Sequence, residues 1–266
     1  MRAGLVFWRI WIAAIFLFLP APIVIVAISS FSRTGYLQFP PQQFSIRWYQ
    51  EFLSSEAWLR PLAVSFALAV VVAIITTIFS FLAAFAVTRM RFRGKAAFDT
   101  LMLSPLLFPH AAIGVALLGL LAAFGWVGHY SGILLAHVML CIPFAYRPVL
   151  NSMRKLDLSV EEAAMSLGAQ PGYVFRTVTL PLLRSGLVTA LLFSFIISFD
   201  EVTVSIFLVG PDATTLPARI FAHIQESASP VVAAISTFLV AITIGLIVLL
   251  QRLIGLDLFI EVERPR

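Results

Sequence analysis

Charged side chains are scarce in this 266-residue sequence: Asp, Glu, Lys and Arg make up 12% of it, whereas about 25% is usual in soluble domains. Hydrophobic residues make up 61%, and several apolar runs reach the roughly 20 residues that cross about 30 Å of hydrocarbon. The single cysteine, Cys141, excludes an intrachain disulfide and a metal site built from cysteines. The composition therefore predicts an integral membrane protein.

Lysine is also scarce, and this limits the ATP-binding motifs that the sequence can contain. Lys95 and Lys155 are the only lysines, and neither stands in a G-x-x-x-x-G-K-[ST] motif, so the sequence offers no P-loop for ATP. The net charge of +5 could suggest nucleic acid, but the basic residues lie at the ends of apolar runs and not on one soluble face. One cysteine and the separated His110 and His137 give no clustered nucleophile or metal set. We expect no catalytic residue, no metal, no cofactor and no nucleic-acid partner in this chain.

Six apolar segments predict an all-α protein with six transmembrane helices. They cover residues 9–29, 61–88, 100–124, 131–150, 182–208 and 231–251. The first could instead be a cleaved signal peptide, but its apolar run exceeds the ~7–15 residues of a signal h-region.

Lysine and arginine accumulate in cytoplasmic loops, and this rule predicts the orientation. With the N-terminus inside, fourteen of the 18 basic residues fall on the cytoplasmic side. The four outside are Arg33, Arg47, Arg60 and Arg219. Both termini are therefore predicted to be cytoplasmic.

The longest external loop, residues 31–60, contains aromatic side chains every four residues, at Phe44, Trp48 and Phe52. This spacing predicts a short amphipathic helix that lies flat on the outer membrane interface. An extended loop with scattered aromatic residues is the alternative.

One long cytoplasmic insertion, residues 151–181, differs from the rest and predicts two short helices. Ser159 followed by Glu162 fits a capping box that starts the first helix. Gly168 can take the left-handed conformation that ends it, and Pro171 suits the first turn of the second. Ala163, Ala164 and Leu167 form a small apolar strip on the first helix. The strip fits either a docking surface for another protein or a linker that lies on the membrane.

The same insertion resembles the EAA loop of the permease subunits of binding-protein-dependent ABC importers. The pattern is Glu162-Ala163-Ala164, three residues, Gly168, nine residues, then Val178-Thr179-Leu180-Pro181, with Val178 where the family usually has Ile. The resemblance implies the type I, MetI-like permease fold. It also implies that Glu162, Ala163, Ala164, Leu167, Gly168, Leu180 and Pro181 couple the chain to an ATPase subunit.

In that family the partners are a dimer of ATP-binding subunits, which bind ATP and magnesium, a second permease subunit and a periplasmic or extracellular solute-binding protein. A different chain is expected as the second permease. The resemblance implies three regions: residues 1–60 as an N-terminal helix and external loop, 61–255 as the core permease domain, and 256–266 as a cytoplasmic tail.

Ionisable groups inside membranes are costly, so each is a functional hypothesis. Asp200 and Glu201 interrupt the fifth apolar segment, and one could face a pore while the other meets a neighbouring helix. The stretch FDEVTVSIFLVGPDATTLPARIF resembles permeases of the polyamine importer branch, which implies spermidine or putrescine as the solute. Opines, amino acid derivatives and other small solutes remain alternatives, as does a structural pairing of the two acids.

His110 follows Pro105 and Pro109, and we expect its imidazole to satisfy a carbonyl that these prolines free. His137 is expected to make a hydrogen bond between helices and is given no further role. The remaining alternative class, an ion-coupled secondary transporter, usually has repeated halves, which this sequence lacks.

The charge distribution makes a topological prediction. A reporter domain fused after Arg266 should be active only if it is of the cytoplasmic type, because fourteen of the 18 basic residues share that side. Activity of a periplasm-only reporter at this position would show that the number of crossings is wrong.

Overall fold

The computed structural model describes residues 2–227 and 229–254, and α-helices dominate them, in agreement with the all-α prediction. The first six helices are α1 (Arg2–Phe18), α2 (Ala21–Ser29), α3 (Arg47–Ser54), α4 (Glu56–Arg89), α5 (Lys95–Leu103) and α6 (His110–Ala123). The others are α7 (Tyr130–Lys155), α8 (Leu158–Ser166), α9 (Pro171–Val174), α10 (Leu180–Asp200), α11 (Ser205–Leu208), α12 (Leu216–Glu226) and α13 (Val231–Ile254). A 3₁₀ turn at Ser104–Leu107 follows α5, and a π-helical turn at Phe175–Thr179 joins α9 to α10.

Four helical stretches within the described residues are long and apolar enough to cross a membrane. They are Phe7–Ser29, Glu56–Arg89, Tyr130–Lys155 and Pro171–Asp200. A bent pair, Lys95–Leu107 with His110–Ala123, makes a fifth candidate if it counts as one span, and Val231–Gly245 is a shorter apolar helix. The membrane-spanning character is confirmed, whereas the number of six crossings stays a prediction.

The third predicted crossing, residues 100–124, is not one straight helix. Its two halves meet at 105° around Phe108 and Pro109. Proline disfavours helical backbone in the residue before it, and Phe108 is accordingly extended, with φ −109° and ψ 142°. His110 therefore stands at the start of a new helix, α6.

The chain divides into two compact units. One comprises the described residues of Met1–Leu59 and Ile220–Arg266, and the other comprises Arg60–Arg219. The predicted regions 1–60 and 61–255 stay predictions, and the predicted tail 256–266 lies outside the described residues.

In the first unit the predicted amphipathic helix exists as α3, but its aromatic face packs on protein. Trp48 and Phe52 are buried, and the ring of Phe52 lies 5.3 Å from that of Phe238 on α13. The indole N–H of Trp48 donates to the carbonyl oxygen of Ser32 at 2.9 Å. Phe44 precedes the helix and is exposed. The predicted aromatic face therefore contains only Trp48 and Phe52, and other residues of the same chain bury it.

In the second unit α7 and α10 pack most closely at a glycine. A β-carbon at Gly186 of α10 would lie 2.8 Å from the carbonyl oxygen of Pro148 and 2.7 Å from Cβ of Ser152, both on α7. Real side-chain contacts are longer, so only glycine permits this approach. Tyr146 and Leu183, both fully buried, belong to the apolar cluster that these two helices share.

The close approach predicts that Gly186→Ala destabilises the fold. The added methyl meets backbone and Cβ atoms that cannot rotate away, and overpacking of this kind costs about 1–3 kcal/mol. Thermal unfolding of the purified chain in detergent, followed by tryptophan fluorescence, measures the loss.

The matched control is Gly119→Ala on α6, where a β-carbon would have no neighbouring atom within 4 Å. Alanine has the higher helix propensity, so this variant should melt at or above the wild-type temperature. Equal melting temperatures for the two variants would contradict the packing argument.

Candidate functional site: the EAA loop and the polar break

The first helix of the EAA loop, residues 151–181, is α8, and it begins at Asp157 rather than through the predicted capping box. The side chain of Asp157 accepts the backbone N–H of Ser159 at 2.9 Å, and the helix starts at Leu158. This hydrogen bond holds the pKa of the Asp157 carboxyl below its usual value. The Ser159–Glu162 box is wrong because an aspartate placed two residues earlier already satisfies the first free N–H groups.

The end of α8 at Gly168 is as predicted. Gly168 has φ +88°, its N–H donates to the carbonyl oxygen of Met165, and the N–H of Ala169 donates to that of Ala164. These bonds close the helix end with a left-handed glycine. Pro171 then occupies the first turn of α9, also as predicted.

The second helix of the loop is not a separate short helix. From Pro171 the chain runs through α9, the π-helical turn and α10 as one 30-residue helix to Asp200. In the π-helical turn the N–H of Leu180 donates to the carbonyl oxygen of Phe175, five residues earlier. Pro181 lacks an N–H and would interrupt an ordinary helix, and the widened turn directly before it accommodates this loss. Leu180 and Pro181 thus lie within the helix that reaches the two acids.

None of the described residues of α8 is fully buried, which leaves most of its surface open. Ala163 and Glu162 are exposed, and Leu167 is 90% exposed at the end of the helix. Ala164 is half-buried, so of the predicted apolar strip only Ala163 and Leu167 face outward fully.

The two acids lie where α10 stops. We call the segment Asp200–Val204 the polar break; it comprises the last residue of α10 and the four residues before α11. Asp200 is the last helical residue and is exposed, whereas Glu201 is extended and buried, with 6% exposure. The fifth predicted crossing, residues 182–208, therefore ends as a regular helix at Asp200, and the two carboxylates face different surroundings.

Both carboxylate oxygens of Glu201 have a partner in the protein. Oε1 accepts the backbone N–H of Val204 at 2.8 Å, and Oε2 lies 3.3 Å from Nδ1 of His110. His110 was expected to satisfy a carbonyl freed by a proline, but its imidazole instead faces this carboxylate from the start of α6. Sequence alone gave no signal for the pair, because the bend at Pro109 brings the histidine there.

His137 supports the polar break from α7. One ring nitrogen lies 2.9 Å from the hydroxyl of Ser198, before the break, and the other lies 2.9 Å from that of Ser205, after it. Both serines and the imidazole are buried. The expected hydrogen bond between helices is present, and the histidine fixes both sides of the interruption.

A carboxylate of the EAA loop that the sequence reasoning did not single out is Glu161. Its Oε1 accepts hydrogen bonds from Arg89 at 2.8 Å and from the hydroxyl of Thr179 at 2.7 Å. The adjacent Glu162, which carries the family pattern, is exposed.

Comparison with known proteins bears directly on these features. The model of a family described as the binding-protein-dependent transport system inner membrane component matches residues 77–256. The putrescine transport system permease protein PotI of Escherichia coli strain K12 is 34% identical over 240 residues, which are 87% of this chain and 85% of that protein. The spermidine/putrescine transport system permease protein PotC of Haemophilus influenzae is 32% identical over 237 residues, 89% and 92% of the two chains.

A similar fold is found in the crystal structure of a bacterial alginate ABC transporter in complex with an alginate pentasaccharide-bound periplasmic protein. The TM-score is 0.71 at 15% identity, over 95% of this chain and 96% of that one. At this identity the likeness concerns the fold, which is the MetI-like permease fold. The family match excludes the secondary-transporter alternative. The chain belongs to the permease family of binding-protein-dependent ABC importers, as an inner-membrane transport subunit and not an enzyme, with ATP hydrolysis left to a separate subunit.

Proposed function

We propose that this permease forms half of the translocation path for a polyamine such as putrescine or spermidine, and that Asp200 and Glu201 supply negative charge along that path. The observation that carries the proposal is an exposed carboxylate, Asp200, at the end of an apolar membrane helix. The relatives named for putrescine and spermidine transport support the solute class.

The chemistry of the polar break favours a cation. The C-terminus of a helix carries a partial negative charge of roughly half an elementary charge, and its last carbonyl groups lack intrahelical partners. Asp200 adds a full charge at the same point, at the end of α10. An alkylammonium group that has lost part of its hydration shell is stabilised by such a combination. Interrupted membrane helices provide this kind of site in other transporters.

Glu201 has a second role in this proposal. Its oxygens are already occupied by Val204 and His110, so it keeps the backbone of the break in place and contributes charge from behind Asp200. The proposal therefore assigns direct contact with the solute to Asp200 and a supporting contribution to Glu201.

The partners follow from the EAA loop. The exposed Ala163, Leu167 and neighbouring Glu162 are proposed to dock into a subunit of an ATP-binding dimer, which binds ATP and magnesium. Gly168 ends α8, and Leu180 and Pro181 begin α10, so these residues are proposed to join the docking surface to the membrane helix. A second permease, expected to be a different chain, supplies the other half of the path, and a periplasmic binding protein delivers the solute. Both termini are proposed to lie in the cytoplasm, as the distribution of basic residues predicts.

The proposal predicts that Gly168→Val uncouples transport. At φ +88° a β-branched residue is strained, by about 1–3 kcal/mol, so the end of α8 should refold away from its docking position. The ATPase activity of the assembled complex should lose its response to the binding protein, and uptake should fall.

A matched control is Gly172→Val, in the same loop, where a β-carbon has no neighbouring atom within 4 Å and φ is not positive. That variant should keep its response to the binding protein. An unchanged stimulated ATPase rate in the Gly168→Val complex would contradict the docking role.

Neutralising the exposed acid tests the path. Asp200→Asn keeps the shape and removes the charge, so uptake of labelled putrescine or spermidine should fall about ten-fold while assembly is unchanged. Glu201→Gln can still accept the N–H of Val204, and we expect a smaller loss. Proteoliposomes that contain equal amounts of assembled complex give the comparison.

The control for this test is Asp212→Asn, which neutralises an exposed carboxylate on the loop between α11 and α12. It should transport at the wild-type rate. Wild-type rates in Asp200→Asn, in Glu201→Gln and in the double variant would overturn the assignment of these acids to the path.

A further inference from the structure

We infer that Glu161 is the positioning residue that fixes α8 to two membrane helices at once, so that a movement of α8 reaches α4 and α10 together. The inference rests on the proposed function in one respect, because it takes α8 to be the helix that the ATPase subunit moves.

The first observation is the sharing of one carboxylate oxygen. Oε1 of Glu161 accepts from Nη2 of Arg89, in the last turn of α4, at 2.8 Å. The same oxygen accepts from the hydroxyl of Thr179, the last residue of the π-helical turn, at 2.7 Å. One side chain of α8 thus contacts the end of one membrane helix and the beginning of another.

The second observation is that α8 has little else to hold it. It is nine residues long, and none of its residues is buried. A helix this short gains its orientation from tertiary contacts and not from its own propensity. Because none of its side chains is buried, the polar contacts of Glu161 and the chain connections at the two helix ends dominate its positioning in this inference.

The third observation concerns burial at the contact. The side chains of Arg89 and Glu161 are 17% and 16% exposed, and Thr179 is 4% exposed. Fully exposed ion pairs contribute little, but a hydrogen-bonded charge pair that is mostly withdrawn from water is stronger and more specific in geometry. Loss of the carboxylate would leave the Thr179 hydroxyl and the Arg89 guanidinium without this acceptor in a poorly hydrated place.

The contact between Glu161 and Thr179 also lies at the beginning of the helix that ends at the proposed solute site. Thr179 directly precedes α10, and the 21 residues of α10 span roughly 30 Å to Asp200. A rigid helix passes a tilt at one end to the other. A displacement of Glu161 would thus move the polar break, and Arg89 would move α4 in the same step.

The adjacent Glu162 provides a contrast within the helix. Glu161 lies in the first turn of α8, where a carboxylate also interacts favourably with the helix dipole, and Glu162 follows it directly. Glu161 contacts Arg89 and Thr179 through its side chain, whereas Glu162 is exposed on the proposed docking side. Glu161 therefore holds the helix from within, and Glu162 faces the partner.

The test uses the complete importer, with its ATPase, second permease and binding protein, in proteoliposomes. Glu161→Ala should lower the number of solute molecules imported per ATP hydrolysed about five-fold at an equal amount of assembled complex, as expected for one mostly buried charge-assisted contact. Thr179→Val, which removes the hydroxyl at constant shape, should give a smaller decrease. Glu51→Ala on α3, an exposed glutamate of the other unit, is the control and should match wild type.

Rescue distinguishes positioning from a general loss of structure. The exchanged pair Glu161→Arg with Arg89→Glu should restore at least about half of the wild-type coupling ratio, because the ion pair is re-formed in reverse. Combining Glu161→Ala with Arg89→Ala should cost no more than the worse single variant, since both remove the same contact. Wild-type coupling in Glu161→Ala, or additive losses without rescue, would overturn the inference.

A second readout does not depend on the solute. Backbone hydrogen exchange of residues 158–166 in the assembled complex should become about ten-fold faster in Glu161→Ala and should be unchanged in Glu51→Ala. If wild type imports no polyamine, the proposed solute is wrong, but the exchange measurement still decides whether Glu161 holds α8. Unchanged hydrogen exchange in Glu161→Ala would by itself refute the inference that Glu161 holds α8.

Discussion

The bilayer imposes one constraint on which the rest of this structure depends: a backbone N–H or C=O group in the hydrocarbon region needs a partner inside the protein. Where α10 stops at Asp200, the carboxylate of Glu201 accepts the N–H of Val204, and the hydroxyl of Ser205 donates to the carbonyl oxygen of Glu201. His137 joins the serines on either side. The buried polar residues thus satisfy a folding requirement first, and the interruption that they permit leaves Asp200 exposed at a helix end.

The same constraint explains how a proline can stand in the helix that leads to this break. Pro181 removes a donor, and the π-helical turn before it shifts the hydrogen bonds so that the helix continues. The EAA loop is therefore connected to the polar break by one uninterrupted helix. A hinge at this proline would have absorbed movement, whereas a continuous helix transmits it.

Rigidity is distributed unevenly along this route. α7 and α10 are locked by the contact at Gly186, where backbone and side-chain atoms meet without space for a methyl group. α8, in contrast, is attached through Glu161 and exposes its apolar residues. This contrast agrees with the proposed roles, in which the helices assigned to the path stay packed and α8, the proposed docking element, moves with them through the contacts of Glu161.

The sequence by itself determined the membrane-spanning class, because no arrangement of 61% hydrophobic residues with long apolar runs could be solvated by water. It also determined the family, through the long spaced pattern from Glu162 to Pro181, and the left-handed end of α8, because glycine is the residue that adopts φ +88° without strain. These features are local in the chain, and local spacing and backbone preference suffice for them.

Only the tertiary structure decided features that join distant residues. The pairing of His110 with Glu201 depends on the 105° bend at Pro109, and the ties of Glu161 depend on Arg89, far away in the sequence. The aromatic face of α3 fitted a membrane surface equally well, until Phe238 covered it. The sequence pattern indicates which face of a helix is apolar and which acid is costly to bury. The residue that covers that face or pairs with that acid comes from elsewhere in the chain, so only the packing of the helices identifies it.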